Sequence, residues 1–211
     1  MNQLDIFGNP LENNSSINLR EGLNIINNGE FIFFSEYFSK SESDNYFKVL
    51  QSTIQWRQES MHMYGKKIDF PRLTAWYGDN DKPYSFSGIT LQPLPWTKEV
   101  QEIKANIESK SNVSFNSVLL NRYRNGNDSI SWHTDAEPEL GINPIIASVN
   151  FGATRKFQLR HNKTKEKIEI ELTNGSLLVM QGELQHHWQH QVPKTSKAVG
   201  ERINLTFRVI K

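Results

Sequence analysis

Two imidazoles and one carboxylate stand along the second half of the chain, at His133, Asp135 and His190. Those group types make the facial ligand set that holds non-haem Fe(II) and leaves coordination positions open for oxygen chemistry. Thr134 alone separates His133 from Asp135, so in extended backbone both side chains leave one face and can grip one ion. His190 lies far enough downstream to cross a sheet and return as the third ligand, although His186 and His187 compete for that place. Further on, Arg202-Ile203-Asn204-Leu205-Thr206-Phe207-Arg208 alternates polar and apolar residues. A strand would aim both of its guanidiniums at one side, where each can bind a carboxylate through two parallel hydrogen bonds. A small dicarboxylate suits that pair.

The elements that must position these groups are legible from periodicity. After residue 115 the chain predicts repeated short strands at Ser117–Tyr123, Ile145–Phe151, Arg155–Arg160, Lys167–Leu172, Ser176–Met180 and Arg202–Ile210. Asn125-Gly126 and Asn174-Gly175 are turn signals between them. Upstream, strands are expected at Leu23–Ile26, Phe31–Phe34 and Leu73–Tyr77. Ser41 with Asp44 reads as a helix start followed by the stripe Tyr46, Phe47, Val49, Leu50 and Ile54. Thr97 caps a second helix with Val100, Ile103 and Ile107 on one face. The expected class is mainly β with flanking helices: a double-stranded β-helix (jelly roll) core with an N-terminal α/β section. Residues 1–20 read as a mobile tail and 21–211 as one domain, with an N-terminal section over 21–114 and a strand-rich core over 115–211.

Leu120-Asn121-Arg122-Tyr123, His133-x-Asp135, His190 and the Arg202–Arg208 run resemble the AlkB-type Fe(II)/2-oxoglutarate dioxygenases, over roughly residues 30–211. Pro71-Arg72, Tyr77-Gly78-Asp79 and Tyr84-Ser85-Phe86-Ser87-Gly88 are similar to the branch of that family acting on duplex DNA. The resemblance implies His133, Asp135 and His190 as iron ligands, the last chosen by the His-Trp-x-His pattern. It implies Asn121, Tyr123, Arg202, Asn204, Thr206 and Arg208 around 2-oxoglutarate. It further implies oxidative demethylation of 1-methyladenine and 3-methylcytosine in DNA, releasing formaldehyde, succinate and CO₂. RNA demethylation, another 2-oxoglutarate-dependent hydroxylation, and a non-catalytic DNA-binding module are the alternatives.

A base must leave the helical stack to reach the iron. Phe86 and His133 occupy the family's sandwich positions, with Tyr84 and Ser85 alongside, and Glu137 can accept from an exocyclic amine. Where a sibling carries a second acid, this chain has Ala136. Tyr64-Gly65-Lys66 ahead of Arg72 stands where the duplex branch carries an aromatic wedge on a hairpin. Arg155, Lys156, Arg160, Lys163, Lys165 and Lys167 against Glu166 read as a phosphate-binding stripe, extended by Lys194 and Lys197. Gln3, Leu4, Ile6 and Phe7 resemble the short peptide by which bacterial DNA-processing proteins bind the sliding clamp.

Composition sets bounds. A 211-residue chain can bury a sizeable core, and 36% hydrophobic residues with mean hydropathy −0.60 fit a soluble globule. Absence of cysteine excludes disulfides and a thiol nucleophile. No long apolar run and no secretory signal are seen, and the expected setting is cytoplasmic, nucleoid-associated if the clamp peptide is real; a monomer is expected separately. A net charge of +1 leaves nucleic-acid contact to local patches.

Overall fold

The computed structural model describes residues 19–63, 66–79, 84–86 and 89–211. Strands β1 (Gly22–Ile26) and β2 (Gly29–Phe34) form a hairpin and lead into helix α1 (Lys40–Thr53). A second hairpin, β3 (Ser60–Met63) with β4 (Lys66–Asp69), precedes β5 (Leu73–Gly78). A third pairs β6 (Tyr84–Phe86) with β7 (Ile89–Leu91), ahead of helix α2 (Lys98–Ser111). Then come β8 (Ser117–Tyr123), β9 (Ile130–His133), β10 (Ile146–Gly152), β11 (Arg155–His161), β12 (Lys167–Leu172) and β13 (Leu177–Gln181). A short helix α3 (Leu184–His187), β14 (Trp188–Val192) and β15 (Arg202–Arg208) complete the order.

Seven strands make one sheet in the order β1-β2-β13-β10-β15-β8-β5, and four make a second in the order β12-β11-β14-β9. The expected jelly-roll class is the one observed. Alternation along the strands assigns their faces. Ile203, Leu205 and Phe207 of β15 join Ala147, Val149 and Phe151 of β10 in a core shared with Leu50 of α1 and with Val100, Ile103 and Ile107 of α2. The opposite face of the large sheet meets the small one through Phe31, Ile146, Leu178, Phe157, Leu159 and Trp188. Arg202, Asn204, Thr206 and Arg208 are therefore turned away from the helices by strand period alone.

Helix α1 starts two residues earlier than Ser41 implies. Ser39 is the N-cap: its side chain accepts from Glu42 N, and the Glu42 carboxylate accepts from Ser39 N at 2.9 Å. Both Ser-x-x-acid patterns fit the sequence, and the longer carboxylate of Glu42 closes the reciprocal box. Thr97 caps α2 as expected. The two turn signals work differently. Gly175 has φ +85°, where any Cβ would meet Ser43 Oγ and the Phe38 carbonyl. Gly126 has no such angle, but a Cβ there would lie 2.4 Å from the Thr195 carbonyl.

Candidate active site

His133 ends β9, His190 sits in the middle of β14, and the two strands pair with these residues opposite each other. Asp135 follows two residues beyond β9. Their ligand atoms lie within 4.8 Å of one another. His133 Nε2 is 3.9 Å from Asp135 Oδ1, and His190 Nε2 is 4.0 Å from Asp135 Oδ2. His133 Nδ1 contacts the Ser131 carbonyl at 2.8 Å, which holds the proton on Nδ1 and leaves the Nε2 lone pair for an ion. Gln185 in α3 accepts from Asp135 N at 2.9 Å, fixing the backbone of the acid. Of the three competing histidines, His190 enters the cluster. His187 points to Glu183 at 3.5 Å, and His186 contacts Asn143 at 2.8 Å.

The electrostatics suit a divalent cation. Burial pulls the His190 imidazole down to about 3, with His133 and Arg208 adding to the effect, so the ring is neutral and its lone pair available. Burial alone would raise Asp135, but the charge and hydrogen bond of the Arg208 guanidinium outweigh it and keep the carboxyl well below the usual carboxylate range. One carboxylate and two imidazoles are the donors that Fe(II) takes.

Two cavities meet at this cluster. The inner one is lined by Asn121, Tyr123, Ser148, Arg202, Asn204 and Thr206. The outer one, of about 360 Å³, is lined by Met61, Phe70, Arg72, Ser129, Trp132 and Glu137. His133, Asp135 and Arg208 border both. In the inner cavity Arg208 Nη2 donates to Asp135 Oδ2 at 2.9 Å. Arg202 is 1% exposed and its guanidinium carbon lies 4.8 Å from the Tyr123 ring centroid. Its Nη2 donates to Asn150 and the Tyr123 side chain also hydrogen-bonds the guanidinium, while the buried Nε and Nη1 have no other close hydrogen-bond partner among the described residues. Burial pulls this guanidinium down to about 10, still charged at neutral pH. A buried cation with unanswered donors is costly unless an anion meets it, which is the fit a dicarboxylate would supply.

Asn204 donates to Ser148 Oγ at 2.8 Å and accepts from Thr206 Oγ1 at 3.0 Å. Asn121 accepts from Arg72 Nε at 2.7 Å, so the wall of the outer cavity is tied to the inner one. Glu137 borders the outer cavity, and its Oε2 is buried with no partner among the described residues. Ser148, Asn150, Gln185 and Trp132 were not singled out by sequence. The first two become visible only through the β10–β15 register, which sets Asn150 opposite Asn204 and Ser148 opposite Thr206.

The residues expected to form the wedge and the base sandwich fall mostly outside the described residues. Lys66 opens β4 and is exposed, while Tyr64 and Gly65 lie outside the described residues. The side chains of Tyr84, Ser85 and Phe86 lie outside them too, as do Gln3, Leu4, Ile6 and Phe7. The basic stripe is weaker than its composition implies. Arg155 is buried and donates to the carbonyls of Asn125, Asp128 and Pro193, and Lys156 pairs with Glu169 at 2.6 Å. Strand β12 sets Glu171 opposite Lys156 and Glu169 opposite Gln158, so counting along the chain missed the acids across the ladder.

Residues 30–208 match the 2OG-Fe(II) oxygenase superfamily. The chain is 43% identical over 179 residues to alpha-ketoglutarate-dependent dioxygenase alkB homolog 3 of Bos taurus, covering 80% of this chain and 62% of that protein. It is 37% identical over 188 residues to DNA oxidative demethylase ALKBH2 of Homo sapiens, covering 84% of this chain and 72% of that one. The chain thus spans less than two thirds of the alkB homolog 3 proteins it matches. Among solved structures, that of OsALKBH1 superposes with TM-score 0.57 at 17% identity, covering 90% of this chain and 99% of the other. A prolyl hydroxylase from Trichoplax adhaerens does so at 0.58 and 12%, covering 85% and 83%, a likeness of fold.

Proposed function

The chain belongs to the 2OG-Fe(II) oxygenase superfamily, and from that premise we propose that it is an oxidative demethylase of alkylated nucleic acid, acting on 1-methyladenine and 3-methylcytosine in DNA. The observation that carries this reading is the shared wall between the two cavities. A cation-lined inner space fit for 2-oxoglutarate and an outer space fit for a small planar group are both bordered by His133, Asp135 and Arg208. An outer cavity of about 360 Å³ falls in the range of small-ligand sites.

His133, Asp135 and His190 would hold the iron. Bound Fe(II) with 2-oxoglutarate and O₂ supplies the oxidising chemistry that hydroxylates a base methyl, which departs as formaldehyde while succinate and CO₂ leave. Arg202 would receive one carboxylate of the cosubstrate, with Tyr123 against its guanidinium and Asn150 orienting it. Arg208 would hold Asp135 ionised and in place, and Asn121, Asn204 and Thr206 form the polar wall between the arginines. In the outer cavity, the Glu137 Oε2, without a partner among the described residues, suits an exocyclic amine, and Arg72 braces the rim through Asn121.

For the flipped base we assign Phe86 as the ring opposing His133, flanked by Tyr84 and Ser85, and Tyr64 with Gly65 and Lys66 as the stack-filling hairpin tip. Residues 3–7 are proposed to dock Leu4, Ile6 and Phe7 on a sliding clamp, which favours a cytoplasmic, nucleoid-associated setting. The test is incubation with methylated oligonucleotides, single- and double-stranded, DNA and RNA, while following formaldehyde and succinate. Release from RNA alone would move the substrate to RNA; release from none would overturn the reading.

A further inference from the structure

Beside the outer cavity, the outward face of the small sheet carries a charged and aromatic pair, Arg160 with Trp132, that extends the cavity lining outward. Alternation on β11 turns Lys156, Gln158 and Arg160 outward, and on β14 it turns Gln189 and Gln191 outward. Most of this face is internally satisfied. Lys156 and Gln158 both donate to Glu169, and Gln191 Nε2 donates to Gln158 Oε1 at 2.6 Å. Arg160 differs. It gives one N–H to Gln189 Oε1 at 2.9 Å, has no carboxylate within ion-pair distance among the described residues, and lies 4.3 Å over the Trp132 ring. Trp132 is half-buried, immediately precedes His133, and lines the outer cavity. The pair therefore forms a continuous rim from the candidate metal set to the outside of the sheet.

We propose that Trp132 and Arg160 form a subsite for the nucleotide next to the target base in an unpaired strand, an inference resting on the demethylase reading. A base that enters the outer cavity leaves its chain neighbours lying across the rim. An unstacked neighbour has a free π-face for the indole, and the phosphodiester joining it to the target carries the charge that Arg160 lacks as a partner. In an intact duplex the neighbouring bases stay paired and stacked, so the indole gains less. The contact is sequence-tolerant because every base has a π-face.

The experiment compares Arg160→Ala and Trp132→Phe with the wild type on two substrates. One is a single-stranded pentanucleotide with central 1-methyladenine; the other is 1-methyl-deoxyadenosine monophosphate, which has no neighbour. Expected for Arg160→Ala is a KM on the pentanucleotide raised about tenfold, the scale of one lost base or phosphate contact, with kcat and the mononucleotide KM unchanged. The salt dependence of pentanucleotide binding should fall by about one phosphate contact. Anisotropy of a labelled unmethylated single strand should report the same weakening without turnover. Trp132→Phe, which keeps an aromatic face, should lie between wild type and Arg160→Ala. Wild-type turnover with unchanged pentanucleotide KM in Arg160→Ala, or equal losses on both substrates, would overturn this subsite alone. A wild type that releases formaldehyde from neither would overturn the functional reading and the subsite together.

Discussion

Buried charge must be answered, and Asp135 and Arg202 are answered differently. Asp135 has Arg208 at 2.9 Å and the Gln185 side chain on its own N–H, so the acid is preset before any ion arrives. Arg202 has only the neutral side chains of Asn150 and Tyr123 as partners, and no carboxylate within ion-pair distance among the described residues. His133→Ala, Asp135→Ala and His190→Ala are each expected to lose bound iron, and His187→Ala to keep it, read as metal content after desalting. Equal loss in the His187 and His190 variants would reassign the third ligand. Arg202→Ala is expected to raise the 2-oxoglutarate KM sharply with iron content retained, since a buried charge pair is worth about 2–5 kcal/mol. An unchanged KM would place the cosubstrate elsewhere. Sequence alone brought out His133, Asp135, Arg202 and Arg208, because their types and local spacing carry the chemistry. It did not bring out Asn150 or Gln185, whose roles depend on β10 meeting β15 and on α3 meeting Asp135.

Strand β15 shows how an element couples stability to the site: Ile203, Leu205 and Phe207 pack toward the helices while Arg202, Asn204, Thr206 and Arg208 turn to the inner cavity. That alternation is unbroken over seven residues, which made the strand readable from sequence. Strands β9 and β14 went unread for a physical reason. The inward side of β14 is Trp188, His190 and Val192, and a histidine at its centre breaks the apolar count, while β9 has only four residues with Ser131 exposed. At the start of α1, Ser39→Ala removes the acceptor for Glu42 N and half of a reciprocal box. The expected loss is about 1 kcal/mol, seen as a thermal midpoint lower by about 2–4 °C, with turnover at 25 °C unchanged. A Ser41→Ala variant losing more than Ser39→Ala would restore Ser41 as the cap.

Over the whole molecule, a net charge of +1 and the pairing of Lys156 with Glu169 mean that the proposed nucleic-acid contact would rest on local cations such as Arg160, not on a broad basic face. Modest affinity of that kind gains from a tether, which is the physical case for the apolar cluster Leu4, Ile6 and Phe7 near the start of the sequence. A peptide of residues 1–12 titrated into purified sliding clamp is expected to give heat of binding, and no heat at about 100 μM would remove the clamp from the picture. Deleting residues 1–8 is expected to leave turnover on short oligonucleotides intact. The claim on which everything else depends is that the shared wall of His133, Asp135 and Arg208 couples cosubstrate oxidation to base demethylation. The most direct measurement is the stoichiometry of formaldehyde and succinate released from 1-methyladenine DNA by the iron-loaded protein. Equal amounts of the two, both abolished in Asp135→Ala, are the predicted result; succinate without formaldehyde, at the same rate with and without methylated DNA, would contradict it.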